Sequence, residues 1–327
     1  MIPRYARRCL GAALVACAAW IPAAGMAEQS WPTRAVQLLV PFPAGGGADA
    51  IGRLIGQKLG ELWGQPVIID NRPGASTMIG SDVVAKAAPD GYTLLLAVSN
   101  HTSNPALFAK MPYDTQTAFT PITLIGSAPM VLVVNPDVPA RSTQELLALM
   151  RQKPGTFNYS SAGNGSVGHL AGELLKQLAG VDMVHVAYKG TAPAELDLVA
   201  GRVELMFTGI VTAIPQIKAG RMRGIAIGGT KRSSVLPDLP TVDEAGVPGF
   251  ESSIWYGLLG PAGLPDTIAE KIRADVVKVL AEPAIRQKLL EQGIEATGSS
   301  PEQFRDLIAS EISKFHELVS KAGIKSE

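Results

Sequence analysis

Two glycine-rich segments have the residue types and spacing of an anion-binding loop. Residues 43–50 read Pro-Ala-Gly-Gly-Gly-Ala-Asp-Ala, and residues 160–169 read Ser-Ser-Ala-Gly-Asn-Gly-Ser-Val-Gly-His. Each segment lies between an apolar run typical of a strand and a pattern typical of a helix. Glycine lets a ligand approach the backbone, and a helix N-terminus offers unpaired N–H donors and the positive end of its dipole. The sequence therefore predicts two helix N-termini that clamp a carboxylate across a cleft without any arginine.

The first segment also fits the G-x-G-x-x-A fingerprint of a dinucleotide-binding loop. Asp70 follows the next apolar run, where the ribose-binding acid of that fold belongs. Two prolines interrupt the turn, however, and Asp49 would place a negative charge beside the pyrophosphate. An exported dinucleotide-binding enzyme that uses Gly45, Gly47 and Asp70 stays open as an alternative.

The second segment contains a serine and a histidine, the residue types of a hydrolase nucleophile and its base. Ser166 does not fit the G-x-S-x-G pattern, because asparagine stands two residues before it. A base also needs an acid to orient it, and His169 is not clearly in line with Ser166. The remaining histidines, His101, His185 and His316, show no metal-ligand spacing. We expect no catalytic residue, no metal and no cofactor.

Alternating strand and helix patterns surround both segments. Apolar runs typical of strands lie at residues 36–40, 67–69, 92–98, 122–125, 130–134, 157–160, 183–187, 203–207, 222–227 and 254–259. Patterns typical of helices lie at residues 49–62, 78–87, 143–151, 169–178, 193–200, 214–219, 265–292 (broken near residue 283) and 301–322. Because βα units with apolar strands form parallel sheets covered on both faces, this order predicts an α/β protein with two such series.

The N-terminus has the composition of an export signal. Three arginines precede the uncharged residues 9–27, which end in small side chains. This pattern predicts a signal peptide over residues 1–27 with cleavage after Ala27. Both cysteines, Cys9 and Cys17, would be removed with it, so the mature protein would have no thiol or disulfide. Cys17 also ends a Leu-Val-Ala-Cys sequence that resembles a lipoprotein box, and a lipid anchor at Cys17 is the alternative.

The charge balance excludes two classes of protein. The chain has 29 basic and 29 acidic residues, and loss of three arginines with the signal peptide leaves 26 against 29. A protein that binds nucleic acid needs a basic surplus to neutralise phosphates, so we expect no nucleic-acid partner. No later uncharged stretch is long and unbroken enough to span a bilayer.

Six ordered segments together carry a family resemblance. They are Val-Pro-Phe-Pro-Ala-Gly-Gly-Gly-Ala-Asp at 40–49, Asn-Arg-Pro-Gly-Ala at 71–75, Ala-Pro-Asp-Gly-Tyr at 88–92, Tyr-Ser-Ser-Ala-Gly at 159–163, His-Val-Ala-Tyr-Lys-Gly at 185–190 and Leu-Pro-Thr-Val at 239–242. In these segments the mature sequence resembles the Bug (Bordetella uptake gene) family, the periplasmic solute-binding proteins of the tripartite tricarboxylate transporter system. The resemblance extends from residue 31 to residue 325.

The resemblance implies both an architecture and a function. The fold would be a two-lobed, type II periplasmic binding protein, with a mainly parallel sheet flanked by helices in each lobe and two crossovers as the hinge. Lobe one would hold residues 28–127 and 251–327, and lobe two residues 128–250. The protein would be a monomeric periplasmic receptor that captures a small carboxylate and delivers it to the membrane permease subunits. A ligand-sensing subunit for a signalling partner is the alternative.

The resemblance also places the ligand-binding residues by position. They lie in the loops of both lobes and at one strand end: Phe42, Ala44, Gly45, Ser76, Thr77, Met78, Ser161, Asn164, Ser166, His169 and Thr208.

Some positions depart from the usual family pattern. Thr208 follows a strand where aspartate is common, which weakens the case for a ligand with an amino group there. Residues 76–78 and the bulky polar residues 99–102 are predicted to tune the distal end of the ligand. Trp255 and Tyr256 lie in a strand pattern, where core packing is favoured over a place in the pocket wall.

Overall fold

The computed structural model describes residues 31–324, and the predicted signal peptide with both cysteines lies outside that range. The first six elements alternate regularly: β1 (Val36–Val40), α1 (Gly47–Trp63), β2 (Val67–Asn71), α2 (Met78–Ala85), β3 (Thr93–Val98) and α3 (Asn100–Leu107). Between Val36 and Ala85 the helices and strands follow the predicted order closely, because apolar periodicity is strong there.

The alternation continues as far as Ile227, where a second consecutive strand and then two consecutive helices follow. The further elements are β4 (Phe119–Val134), α4 (Thr143–Gln152), β5 (Asn158–Ser161), α5 (Val167–Ala179), β6 (Val184–Ala187), α6 (Thr191–Val199), β7 (Leu205–Gly209), α7 (Ile210–Lys218), β8 (Arg223–Ile227), β9 (Ser253–Pro261), α8 (Asp266–Ala281), α9 (Pro283–Glu291), β10 (Glu295–Ala296) and α10 (Pro301–Ala322). Within the described residues, no helix is both long enough and apolar enough to cross a membrane.

The strands form two half-sheets in the order β2-β1-β3-β9-β4-β7-β5-β6. Strands joined by βα units pair in parallel: β1 with β2 and β3, and β5 with β6 and β7. The central strand β4 and its partners β7, β8, β9 and β10 pair antiparallel. The parallel prediction thus holds for the βα units, whereas the strands that pass between the halves run in the opposite direction. The result is the two-lobed α/β fold, built from mixed sheets.

One 16-residue strand, β4, belongs to both half-sheets, although the sequence predicts two strands in this region. Its first part pairs with β9 as far as Pro129, and its second part pairs with β7 from Met130 onwards. The returning chain is bonded to the same point, because Gly228 donates to Met130 O at 2.7 Å and Met130 donates to Ser252 O at 3.0 Å. The pairing therefore changes next to the expected boundaries at residues 127 and 250, and those boundaries stay a prediction.

The C-terminal helix α10 joins the two halves by apolar packing. It begins with a capping box at Ser300. Near its C-terminal end, Phe315 and Leu318 form one apolar cluster with Leu107 of α3 and Leu170 of α5. Because α3 follows β3 of the first half-sheet and α5 follows β5 of the second, this cluster joins the carboxyl ends of the strands in the two half-sheets.

Candidate functional site

Helix α3, which follows a parallel strand of the first half-sheet, contacts a loop of the second half-sheet. We define the β1–α1 loop as residues 41–46, the β2–α2 loop as residues 72–77 and the β5–α5 loop as residues 162–166; the cleft is the space between the first two and the third. Ser103 Oγ of α3 donates to Gly165 O at 3.5 Å. Gly165 has φ +71°, and a Cβ there would lie 2.3 Å from the Leu107 side chain. Glycine is thus required where the two edges meet.

The β1–α1 loop is shaped by the carboxylate of Asp49. Its Oδ2 accepts from Gly45 N at 2.9 Å and from Arg53 Nε at 2.9 Å, and its Oδ1 accepts from Asn71 Nδ2 at 3.0 Å. The hydrogen bond from Arg53 is the main cause that lowers the pKa of Asp49 to about 2, against the opposing effect of burial. The Gly45 N–H is therefore used inside the protein. Gly46, the N-cap residue of α1, provides no side-chain cap, so the N–H groups of the first turn remain available to an anion.

Tyr256 of β9 adds a hydroxyl to this helix N-terminus. Its ring packs in the core, as its place in a strand pattern predicts, and only 6% of the residue is exposed. Its hydroxyl oxygen lies 3.6 Å from the position that a Cβ on Gly47 would take, beside the first turn of α1. Burial raises the pKa of Tyr256 to about 12, so the hydroxyl stays protonated and can donate. Sequence patterns alone give no signal for this role.

The β2–α2 loop ends in three residues with left-handed backbone. Ala75, Ser76 and Thr77 have φ of 45°, 48° and 79°, which is rare for residues other than glycine and costs about 1–3 kcal/mol each. The missed helix α3 supports this turn, because Asn104 Nδ2 donates to Ser76 O at 2.7 Å and Asn100 Nδ2 donates to Ser76 Oγ at 3.3 Å. The asparagines lie four residues apart, a spacing that places both on one face of the helix.

Two expectations for this side of the cleft change with the structure. The side chain of Met78 packs in the apolar core of the first half-sheet, so only its backbone is near the loop. His101, predicted to tune the distal end of the ligand, is buried against Phe119 with ring centroids 4.9 Å apart. Burial lowers the pKa of His101 to about 4. Ser99 and Thr102 are buried as well, whereas Asn100 is half-buried and bonded to Ser76, so Asn100 stays a predicted residue for tuning the ligand.

Two stacked histidines, one of them hydrogen-bonded to Gly165 N, support the β5–α5 loop. The His169 and His185 rings are parallel with centroids 3.9 Å apart. His169 Nδ1 accepts from Gly165 N at 3.0 Å, and His185 Nε2 lies 2.7 Å from Ser161 Oγ. Burial is the main cause that lowers the pKa of each histidine to about 4. His169 is only 6% exposed, and its ring supports the backbone of the loop through Gly165 N.

The start of α5 also uses its own polar groups. Ser166 Oγ accepts from His169 N at 3.3 Å and so caps the helix. Asn164 is exposed at the tip of the loop. The two helix N-termini predicted as a matched pair therefore differ: α1 has no side-chain cap, whereas α5 has one.

The geometry disfavours both enzyme alternatives. In the hydrolase alternative, Ser166 Oγ accepts from His169 N as a helix cap, and His169 Nδ1 accepts from Gly165 N instead of facing the Ser166 hydroxyl. Asp70 accepts from Gln37 Nε2 at 2.6 Å and from Arg72 Nε at 3.0 Å, within the edge strand β2. Within residues 31–324, no group of three or more His, Cys, Asp or Glu side chains is arranged to hold a metal.

A cavity of about 370 Å³ lies beside the β5–α5 loop, between α3, α5 and the end of α10. Asn164 and His169 line it together with Glu173 and Lys176, whose side chains form an ion pair at 3.1 Å. The cavity does not include the β1–α1 or β2–α2 loop. It shares the β5–α5 loop with the cleft and extends from there towards the end of α10.

Thr208, at the end of β7, does not stand alone. Its Oγ1 donates to Glu195 Oε1 of α6 at 2.8 Å and lies 3.1 Å from Thr212 Oγ1. Glu195 is 9% exposed and was not among the predicted site residues. Glu195 lies in α6 and Thr208 in β7, and no spacing pattern in the sequence links the two positions. Their contact therefore arises only from the packing of α6 against β7.

Comparison with known proteins gives this architecture its family. The family described as "Tripartite tricarboxylate transporter family receptor" matches residues 51–324. The solved structure of Rpa4515 from R. palustris with adipate is 38% identical, covers 91% of this chain and 100% of its own, and has a TM-score of 0.84. The periplasmic binding protein BugD is 33% identical, with 91% and 100% coverage and a TM-score of 0.81.

A third solved structure completes the comparison. MatC from Rhodopseudomonas palustris with bound malate is 34% identical, covers 88% of this chain and 99% of its own, and has a TM-score of 0.79. These neighbours are solute-binding proteins of the two-lobed periplasmic class. The chain belongs to the tripartite tricarboxylate transporter receptor family, and within it to the Bug proteins.

Proposed function

We propose that this protein is a periplasmic receptor that binds a small carboxylate in the cleft and delivers it to membrane permease subunits. The observation that carries the proposal is the uncapped N-terminus of α1, with the Tyr256 hydroxyl beside it. The adipate bound by Rpa4515 and the malate bound by MatC support the choice of a carboxylate.

The binding mechanism would rely on dipoles rather than on a positively charged side chain. The N–H groups of Gly47 and Ala48 point along the axis of α1 and attract an anion together with the helix dipole. The Tyr256 hydroxyl would add one donor from the side. The negative charge of Asp49 is offset by its bonds to Arg53 and Asn71, which leaves the N-terminus favourable for a carboxylate.

The predicted ligand-binding residues divide into two roles in this proposal. Residues with exposed or half-buried groups at the loops would contact the ligand: Phe42, Ala44, Gly45, Ser76, Asn164 and Ser166. Buried residues would fix the shape of the loops: Thr77, Met78, Ser161, His169 and Thr208.

The proposed receptor has no catalytic activity and works as a monomer. Lobe one comprises residues 28–127 and 251–327 and lobe two residues 128–250, and the lobes would turn about two crossovers, one at Pro129 and Met130 and one near Ser252. After export, cleavage at Ala27 would release the mature receptor into the periplasm.

Ligand-dependent stability tests the proposal directly. Thermal unfolding of the purified protein is followed with a panel of mono- and dicarboxylates, including adipate and malate. Because a ligand stabilises the folded state by RT ln(1 + [L]/Kd), a concentration of 100 Kd adds about 2.7 kcal/mol. A folded protein that responds to no carboxylate contradicts the proposal. Deletion of the gene separates transport from sensing, since loss of a receptor abolishes uptake whereas loss of a sensor changes only induction.

A further inference from the structure

We infer that Glu195 selects the ligand by accepting a hydrogen bond from an ammonium or hydroxyl group at its distal end. This inference rests on the proposed function and deepens it. The receptor would prefer carboxylates with such a donor over unsubstituted dicarboxylates of the same length.

The position of Glu195 follows from strand register. β5 and β7 are parallel, with Ser160 paired to Met206, so Thr208 lies two residues further along β7 at the edge where the β5–α5 loop begins. The β6–α6 connection reaches the same edge, because Gly190 N donates to Ala162 O at 3.1 Å. Three βα units therefore bring the Glu195 carboxylate to the carboxyl ends of β5 and β7, the edge of an α/β sheet at which ligand sites lie.

The carboxylate of Glu195 has spare capacity to accept hydrogen bonds. Among the described residues, Thr208 Oγ1 is its hydrogen-bond donor and no lysine or arginine nitrogen lies within 4.0 Å of it. Its second oxygen, Oε2, is not one of the fully buried atoms that lack a partner, so it is in contact with solvent. A carboxylate with four acceptor sites, nine-tenths buried and without a counter-charge, favours a donor or a cation.

The same carboxylate disfavours a second anion. A dicarboxylate whose distal end reaches Thr208 would place its second negative charge beside Glu195, and like charges repel strongly where water is excluded. The nearby basic side chain of Arg202 does not offset this charge, because it is bonded to Asp197 on the exposed side of α6. The sequence indicated that Thr208, in place of an acid, weakens the case for an amino group. The structure reverses this, since α6 supplies an acid at the same point.

Matched ligand pairs test the inference. Binding is measured calorimetrically for succinate against 4-aminobutyrate, glutarate against 5-aminopentanoate, and adipate against 6-aminohexanoate, with 6-hydroxyhexanoate as the uncharged donor. We expect the amino member of the best-fitting pair to bind about tenfold or more tightly than the dicarboxylate. Glu195→Gln should lower the affinity for the amino ligand about tenfold and raise that for the dicarboxylate, so the preference narrows or inverts.

Two further variants keep the result interpretable. Asp197→Asn removes one negative charge from the same helix but faces Arg202 and Tyr188, so it should leave the preference unchanged. Thr208→Val removes the hydroxyl that orients Glu195 and should weaken the preference less than Glu195→Gln does. Circular dichroism confirms that each variant is folded.

The outcomes separate this inference from the proposed function. Wild-type protein that binds dicarboxylates more tightly than their amino partners overturns the role of Glu195 and leaves carboxylate capture intact. An unchanged preference in Glu195→Gln does the same. If folded wild-type protein binds neither series, the proposed function fails as well.

Discussion

The β1–α1 and β5–α5 loops look alike in sequence and are built differently. Both are glycine-rich and both lead from a strand into a helix. The first is fixed by an ionised carboxylate, Asp49, and leaves α1 without a side-chain cap. The second is fixed by the neutral ring of His169, and Ser166 caps α5. A glycine-rich strand-to-helix turn thus predicts where an anion-binding site lies, but not whether its N–H donors are free to bind.

Removal of the Asp49 carboxylate, which supports the β1–α1 loop, should have the largest effect on stability. Asp49→Ala leaves the Gly45 N–H, Arg53 and Asn71 without their shared acceptor, and we expect the free energy of unfolding to fall by about 2–4 kcal/mol. Urea denaturation measures the loss. Glu270→Ala, which removes an exposed i,i+3 ion pair with Arg273, is the matched control and should cost less than about 1 kcal/mol. Equal losses in the two variants would contradict the special role of Asp49.

The two loops should lose stability in different pH windows. The pKa of His169 falls from 6.5 to about 4 on folding, so the unfolded state binds more protons between these values and stability decreases as pH falls from 6.5 to 4. The pKa of Asp49 falls from 3.8 to about 2, so its contribution is present above 3.8 and is lost only as pH falls towards 2. The histidine contribution is about 3 kcal/mol at most.

Substitution of His169 tests whether the loss of stability between pH 6.5 and pH 4 comes from the β5–α5 loop. Gln in place of His169 can still accept from Gly165 N but does not titrate. Urea denaturation of His169→Gln between pH 6.5 and 4 should therefore show a shallower loss of stability than the wild type. His101 and His185 continue to titrate in the variant, so a residual slope is expected. If the free energy of unfolding depends on pH equally in the variant and the wild type, His169 does not cause the loss of stability.

Loss of one hydroxyl at α1 should weaken binding without unfolding the protein. Tyr256→Phe keeps the ring in the core and removes the proposed donor to the ligand carboxylate, which is worth about 1.5–3 kcal/mol for a hydrogen bond to a charged group. We expect the affinity to fall at least about tenfold by calorimetry. Tyr92→Phe serves as the control, because its hydroxyl contacts Thr33 near the start of β3, away from the cleft. An unaltered affinity in Tyr256→Phe would exclude the hydroxyl as a contact.

The smallest effect should come from making the two helix starts alike. Gly46 has φ −85° and ψ 174°, the extended backbone of an N-cap, and a Cβ there meets only Pro43 O at 3.7 Å. Gly46→Ser should cap α1 as Ser166 caps α5, raising stability by a few tenths of a kcal/mol. The same hydroxyl would compete with the ligand for an N–H, so affinity should fall several-fold. Ser166→Gly, which removes the cap of α5, should lower stability slightly, and an increase in affinity for Gly46→Ser would refute the competition.

Most of the architecture was accessible from the sequence because apolar periodicity encodes it. The bounds of β1 and α10 agree with their patterns, and the break before Pro283 separates α8 from α9. The polar helix α3 was missed, since it is buried through hydrogen bonds such as that of Thr102 to Glu311 rather than through an apolar face. Strand β4 was divided in two because Gly126 and Pro129 interrupt its apolar run.

The site was only partly accessible from the sequence. Motif positions indicated which loops line the cleft, and family resemblance named residues in them. The use of the Gly45 and Gly165 N–H groups by Asp49 and His169 depends on three-dimensional contacts that no spacing rule reports. The pairing of Glu195 with Thr208 joins different elements and has the same origin.

The shared strand β4 determines how force passes through the molecule. A rotation of one half-sheet against the other acts on the peptide units at Pro129 and Met130 instead of on a flexible loop. Proline has no N–H to contribute to the strand ladder, so the bending point coincides with its weakest rung. On the proposed lobe division, closing on a ligand would bend one continuous strand and would require no segment to be ordered. The entropy cost of closing would then be small, and more of the contact energy would remain as affinity.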